Sequence, residues 1–142
     1  MRLDTKAEFT GPLSHGLGPI FLRHATTKAI RELTEDAESF LFEKLRPVPS
    51  GVYEGTNLNG TRVQTTTGNY RRNISTQYKG LTSVISDNGV IYGPWLEGTS
   101  SRNISTGWKG YSTFRKADQE IEKRKKRVFE KHIRQLARRL NK

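Results

Sequence analysis

Three histidines, His15, His24 and His132, are the side chains best suited to proton transfer near neutral pH. They fall in different predicted elements, and no serine or aspartate stands at a spacing that suggests a nucleophilic triad. No histidine pair has metal-ligand spacing, and the chain has no cysteine, which excludes thiolate metal sites and disulfides. Gly11, Gly16 and Gly18 lack the Lys-Ser/Thr pair and the preceding strand of a phosphate cradle. Glu97, between Trp95 and Gly98, is the one acid that looks placed. A buried general acid could sit there, but nothing nearby completes a constellation. The expectation is a protein that is not an enzyme and uses no metal and no cofactor. Asn59, Asn73 and Asn103 each stand in an N-x-S/T triplet, which reads as chance composition without a secretory signal.

Charge is the stronger signal. The net charge is +11, and residues 113–142 hold 12 Lys and Arg against 4 acids. Five cations run together there: Lys123, Arg124, Lys125, Lys126 and Arg127. Such a segment suits DNA, an acidic protein surface or an anionic membrane; a solvated helix face is the plain alternative. No apolar run approaches the roughly 18 residues a membrane span needs, and no apolar core of a signal peptide is present. The chain reads as soluble and without a membrane partner. Hydrophobic residues make up 32%, enough for only a thin core, and such a protomer gains stability by burying surface on neighbours.

These residues must be positioned by an α+β fold in a single domain over 1–142. Residues 1–24 read as an extended arm, because Gly11, Pro12, Gly16, Gly18 and Pro19 oppose a helix through it. Its apolar residues, Phe9, Leu13, Leu17 and Ile20 among them, predict that part of it pairs as an edge strand or lies on a neighbouring subunit; a flexible terminus is the alternative. Residues 25–45 carry an i, i+3, i+4, i+7 stripe with Thr26 or Thr27 as cap, and Pro47 and Pro49 stop that helix. Residues 50–67 form a loop or a hairpin about Asn59-Gly60. Residues 69–78 and 81–86 read as antiparallel strands, with Ser83 and Ile85 on one face. Asp87-Asn88-Gly89 supplies a turn, and residues 90–96 return as a strand end or one helical turn, since Pro94 opposes a central strand.

Arg72-Asn73-Ile74-Ser75-Thr76 recurs 30 residues later as Arg102-Asn103-Ile104-Ser105-Thr106. Two similar strand-like segments, or coincidence, fit equally well. Residues 99–112 read as a long loop, in which Trp108 either anchors a protruding tip or folds back into the core. Residues 113–140 are the long last helix, about 42 Å at 1.5 Å per residue. Its stripe of Phe114, Ala117, Ile121, Val128, Phe129, Ile133 and Leu136 is interrupted at Arg124 and Lys125. The first part is expected on the sheet and the last part on a neighbour.

Three groups of residues follow one another in a telling order: Thr67, Gly68, Tyr70, Arg71 and Ile74; then Tyr92, Trp95, Leu96, Glu97, Gly98 and Thr99; then Phe114 and Ala117. This order resembles the neck and tail-completion (head-tail joining) family of long-tailed bacteriophages, over roughly half the chain. The resemblance implies a protomer with one helix, a small antiparallel sheet and a long final helix. It implies a structural virion protein, made in the host cytoplasm, that forms a homo-oligomeric ring, a hexamer or a dodecamer, at the head-to-tail connector. The ring would bridge portal-side adaptor or head-closure proteins to the tail terminator or tail tube, with DNA passing through its lumen. Tyr70, Arg71, Trp95, Glu97 and Trp108 are then expected as subunit or partner contacts, and the cations of residues 123–127 would face DNA or an acidic neighbour. The competing reading is a small basic nucleic-acid-binding protein, supported by the same cations but lacking a helix-turn-helix, strand aromatics for RNA or a zinc finger.

Overall fold

The computed structural model describes residues 1–6, 18–45, 52–56, 59–60, 62–66 and 68–140. The chain order is β1 (Arg2–Lys6), α1 (Gly18–Lys44), β2 (Val52–Thr56), β3 (Arg62–Thr66), α2 (Asn69–Asn73), β4 (Ser75–Lys79), β5 (Thr82–Ser86), α3 (Gly93–Glu97), α4 (Ser101–Thr106) and α5 (Thr113–Leu140). The architecture is α+β: a three-stranded antiparallel sheet, an N-terminal helix and a long C-terminal helix.

α1 begins well before the expected start at Ala25. Pro19 sits in its first turn, where the missing N–H has no partner to lose and the fixed φ is already helical. Gly18 and Pro19, read from sequence as obstacles to a helix, open one instead. The interior face carries Ala25, Ala29, Ile30, Leu33, Ala37 and Leu41. Thr26 and Thr34 are buried within the helix rather than capping it. Thr34 Oγ1 donates to the Ile30 carbonyl at 2.7 Å and lies 2.6 Å from Ser83 Oγ, so one hydroxyl ties α1 to the sheet.

The sheet order is β1-β5-β4. Arg2–Lys6 pairs along β5, with Leu3 opposite Ile85 and Thr5 opposite Ser83. The expected edge-strand pairing of the arm is thus present in Arg2–Lys6. Phe9, Gly11, Pro12, Leu13, His15, Gly16 and Leu17 lie outside the described residues, as do Pro47, Pro49, Thr61 and Thr67. β5 alternates as predicted, with Ser83 and Ile85 buried against α1. At its end the buried Asp87 accepts from the Met1 amino group and from the Gly89 N–H, both at 3.1 Å. β2 and β3 form a separate antiparallel hairpin, Val52 opposite Thr66, with Gly60 at φ +74 in the connection.

The predicted strand over 69–78 is corrected in its first half. Residues 69–73 are the short helix α2, and only Ser75–Lys79 is strand. Gly68, left-handed at φ +68, sets the turn, and Asn73 closes it by donating to the Asn69 carbonyl at 2.8 Å and to the Asn69 side-chain oxygen at 3.1 Å. The expected loop over 99–112 contains α4. Ser100 and Asn103 make a reciprocal capping box there, so the second copy of the pentapeptide is helical while the first spans a helix end and a strand. Pro94 opens the single turn α3, as the helical-turn alternative required.

α5 lies antiparallel along α1 as well as touching β1, not chiefly on the sheet. Its buried residues, Phe114, Ala117, Ile121 and Val128, join Leu33, Ala37 and Leu41 in one core. The reason is the width of the α1 stripe, which has faces for both sheet and helix. Beyond Val128, Phe129 still packs against the core, and polar contacts join the two helices further on. Lys131 Nζ donates to both Glu32 carboxylate oxygens at 2.9 Å, and His132 Nε2 lies 2.7 Å from one of them. The Lys131 hydrogen bond holds the Glu32 carboxyl below its ordinary value of 4.5, with burial opposing. A depressed folded-state value stabilises the protein above the ordinary value and is lost as pH falls through the folded one. The stability difference between wild type and Glu32→Gln should therefore be constant above about pH 6 and shrink below about pH 4.5. Urea midpoints measured across that range check it; a difference that does not change with pH would show that the pair carries no linkage.

Candidate interaction surface

The residues of the second and third sequence groups meet in one knot at the start of α5. Gly98 ends α3 in a left-handed conformation, φ +82. Behind it the Leu96 carbonyl accepts from the Tyr111 N–H at 2.7 Å. The Glu97 side chain, 1% exposed, accepts from the Thr113 hydroxyl and from the Phe114 N–H, the latter at 3.1 Å. The first N–H groups of a helix lack intrahelical partners and carry partial positive charge. Glu97 therefore caps α5 from another element. This corrects its expected role: a carboxylate consumed inside the protomer is not a contact for a neighbour.

Tyr70 is also interior, at 1% exposure. Its ring lies 6.2 Å from that of Tyr92, and Gly93 leaves it room: a Cβ there would stand 3.2 Å from the Tyr70 ring and 2.2 Å from the Asp87 carboxylate. Burial first, and the Glu97 charge second, push the Tyr70 hydroxyl far above the ordinary tyrosine range, so it stays protonated. As a partner contact Tyr70 is likewise corrected, because the first helical turn points it into the core.

Trp108 folds back rather than protruding. Its ring lies 4.4 Å from Trp95 and 5.3 Å, edge-on, from Tyr111, and the Arg102 guanidinium stands 5.3 Å above Trp95. Asn103 holds the loop that carries them: its Nδ2 donates to the carbonyls of Trp95 and Trp108, both at 2.9 Å, while Oδ1 accepts from the Ser100 N–H and hydroxyl. Trp95 and Trp108 remain half-buried, and the exposed Arg71 covers the Phe42 ring at 5.3 Å. Those three keep surface; Tyr70 and Glu97 do not. In the sequence Asn103 reads only as part of a chance triplet. Its spacing from Ser100, three residues on, was the signal that could have found it.

Among the described residues the most exposed large apolar ones are Ile91 at 96%, Ile104 at 86% and Ile20 at 64%; Ile20 belongs to the arm expected to dock, whereas Ile91 and Ile104 are not among the expected contacts. Ile104 occupies the place in the repeated pentapeptide where Ile74 is core. Ile74 is the extended residue that ends α2, whereas Ile104 lies inside α4 and faces outward.

Four of the five cations of the basic run are already engaged. Lys123 pairs with Glu120 at 3.5 Å, Arg124 with Glu120 at 3.0 Å and Asp36 at 3.3 Å, Lys125 with Glu122 at 3.2 Å, and Lys126 with Glu130 at 4.0 Å. Arg124 holds the Glu120 carboxyl below its usual range, and Glu120 raises Arg124 in turn. Exposed pairs of this kind each add little stability, but they spread the positive charge instead of presenting a bare stripe. His24 and His132, distant in sequence, line one cavity of about 450 Å³ between the start of α1 and the end of α5. Among the described residues no group of three or more His, Asp or Glu could hold a metal, and no helix is long and apolar enough to cross a membrane.

Comparisons with family models, with curated proteins and with solved structures give no match to this chain.

Proposed function

We propose that this protein is a structural ring component of a bacteriophage neck, bridging portal-side adaptor or head-closure proteins to the tail terminator or tail tube. The observation that carries the reading is the ordered set of Gly68, Tyr70, Arg71 and Ile74, then Tyr92 to Thr99, then Phe114 and Ala117. The fold gives this set a physical purpose, since Tyr70 packs by Tyr92 and Glu97 caps the helix that Phe114 begins. Uncovered Ile20, Ile91 and Ile104 support it as surfaces for neighbours. In a cyclic ring such contacts are heterologous and close by rotation. In this reading the protomer's role is structural, and six or twelve copies would surround the DNA.

Disrupting the reading frame in the phage that encodes it should leave filled heads and separate tails that fail to join, with infectivity restored by supplying the protein. Antibody against the chain should label the collar of finished particles. Joined, infectious particles lacking the protein would end the reading. The nucleic-acid-binding alternative has the net charge of +11 in its favour. It requires duplex binding by the lone protein with a steep slope of log affinity on log salt, whereas a ring component needs none.

A further inference from the structure

We infer that the cleft between the first turns of α1 and the last turns of α5 docks an acidic, apolar segment of another protein. This goes beyond the ring reading and does not depend on it. Ile20, Phe21 and Leu136 supply the apolar lining of the 450 Å³ space. Ile20 is 64% and Phe21 43% exposed, so the described residues leave this surface uncovered. Lys28 stands on the α1 side and Arg139 on the α5 side, with His24 beside them, and among the described residues no carboxylate lines the cleft. The nearest acid along α1, Glu32, is held by Lys131 and His132. Apolar walls between two cations select apolar side chains flanked by carboxylates, in the manner of an amphipathic helix laid in a groove.

Other occupants fit less well. A second copy would bring Ile104 with Arg102 close in sequence on the same short helix, and a charge of +11 onto a basic rim. Nucleic acid matches the cations but offers nothing apolar of the kind the lining needs. A flat lipid surface meets a concave cleft only at its rim.

The probe is a fluorescein-labelled peptide of leucine and glutamate at helical spacing, titrated with the full chain and followed by anisotropy. A leucine–lysine peptide of the same pattern is the control. The leucine–glutamate peptide should bind, and the control should bind at least about tenfold more weakly. Lys28→Glu and Arg139→Glu should each weaken binding by about tenfold, and Phe21→Glu should abolish it, while Lys79→Glu on β4 leaves it unchanged. Phe21 and Arg139 are exposed, so these variants should melt like the wild type, which circular dichroism checks. Four results would overturn the inference: no binding of the leucine–glutamate peptide, binding by Lys28→Glu and Arg139→Glu as tight as by wild type, self-association in sedimentation that Phe21→Glu removes, or release of the peptide by vesicles of anionic phospholipid. Failure of the neck reading in particles would move none of these measurements.

Discussion

Gly98→Ala should cost the protein about 4 kcal/mol of stability, the sum of a left-handed conformation imposed on an L-residue and a clash with backbone. At Gly98, φ is +82, and a Cβ would stand 2.0 Å from the Lys109 carbonyl oxygen and 2.7 Å from its carbon. Neither is the end of a flexible side chain, so the two segments must part. Gly110 faces the same contact from the other side, its Cβ position only 2.3 Å from the Gly98 nitrogen. Small domains are stable by about 5–15 kcal/mol, so the loss is a large share of the whole. Gly89→Ala is the matched control: φ is +72 there, but nothing lies within 4 Å of the added carbon, and only the conformational cost of about 1 kcal/mol remains. Urea unfolding of both variants separates the terms. Equal losses at the two positions would show that the close approach contributes nothing.

Glu97→Ala should cost about 3 kcal/mol, because it strands a buried N–H and a buried hydroxyl and leaves a void. The carboxylate is the side-chain acceptor for both Thr113 and Phe114 at the head of α5. Glu97→Gln keeps the volume and one acceptor oxygen and should lose about half as much. The Phe114 amide is the local reporter. Its hydrogen exchange should speed up in Glu97→Ala by more than that of Val128, which lies in the same helix about four turns on. If the alanine variant melts like wild type, the cap is not what holds the helix start.

Both long helices were legible because their apolar residues recur at the helical period, and that signal does not depend on distant partners. β5 was legible by alternation. What failed was decided by local hydrogen bonds or by tertiary contact. The start of α1 differs from the expected Ala25 because Pro19, a breaker inside a helix, is a former in a first turn. Residues 69–73 look β-prone, yet the Asn73 side chain closes a helical turn. α4 was hidden because its capping box uses asparagine at the third position in place of Glu or Gln. In the candidate site, Glu97 stood out correctly as a placed acid, but its partner lies in the next long helix. The five cations were counted without Asp36, which reaches Arg124 from α1 across 88 residues. Sequence counts charges; only the fold says which are already answered.

The sequence distances closed by the fold differ widely. Glu97 meets Thr113 over 16 residues, whereas Met1 meets Asp87 over 86 and Lys131 meets Glu32 over 99. Loop-closure entropy rises with length, and contacts between distant residues form late. The knot around Gly98 is therefore expected to form early in folding and the pairing of β1 well after it. In that interval β5 has β4 on one side and an unpaired edge on the other, open to a strand from any neighbouring chain. Pulse-labelled amide exchange should find Tyr111 protected before Leu3; the reverse order would mean that the terminal strand nucleates the sheet.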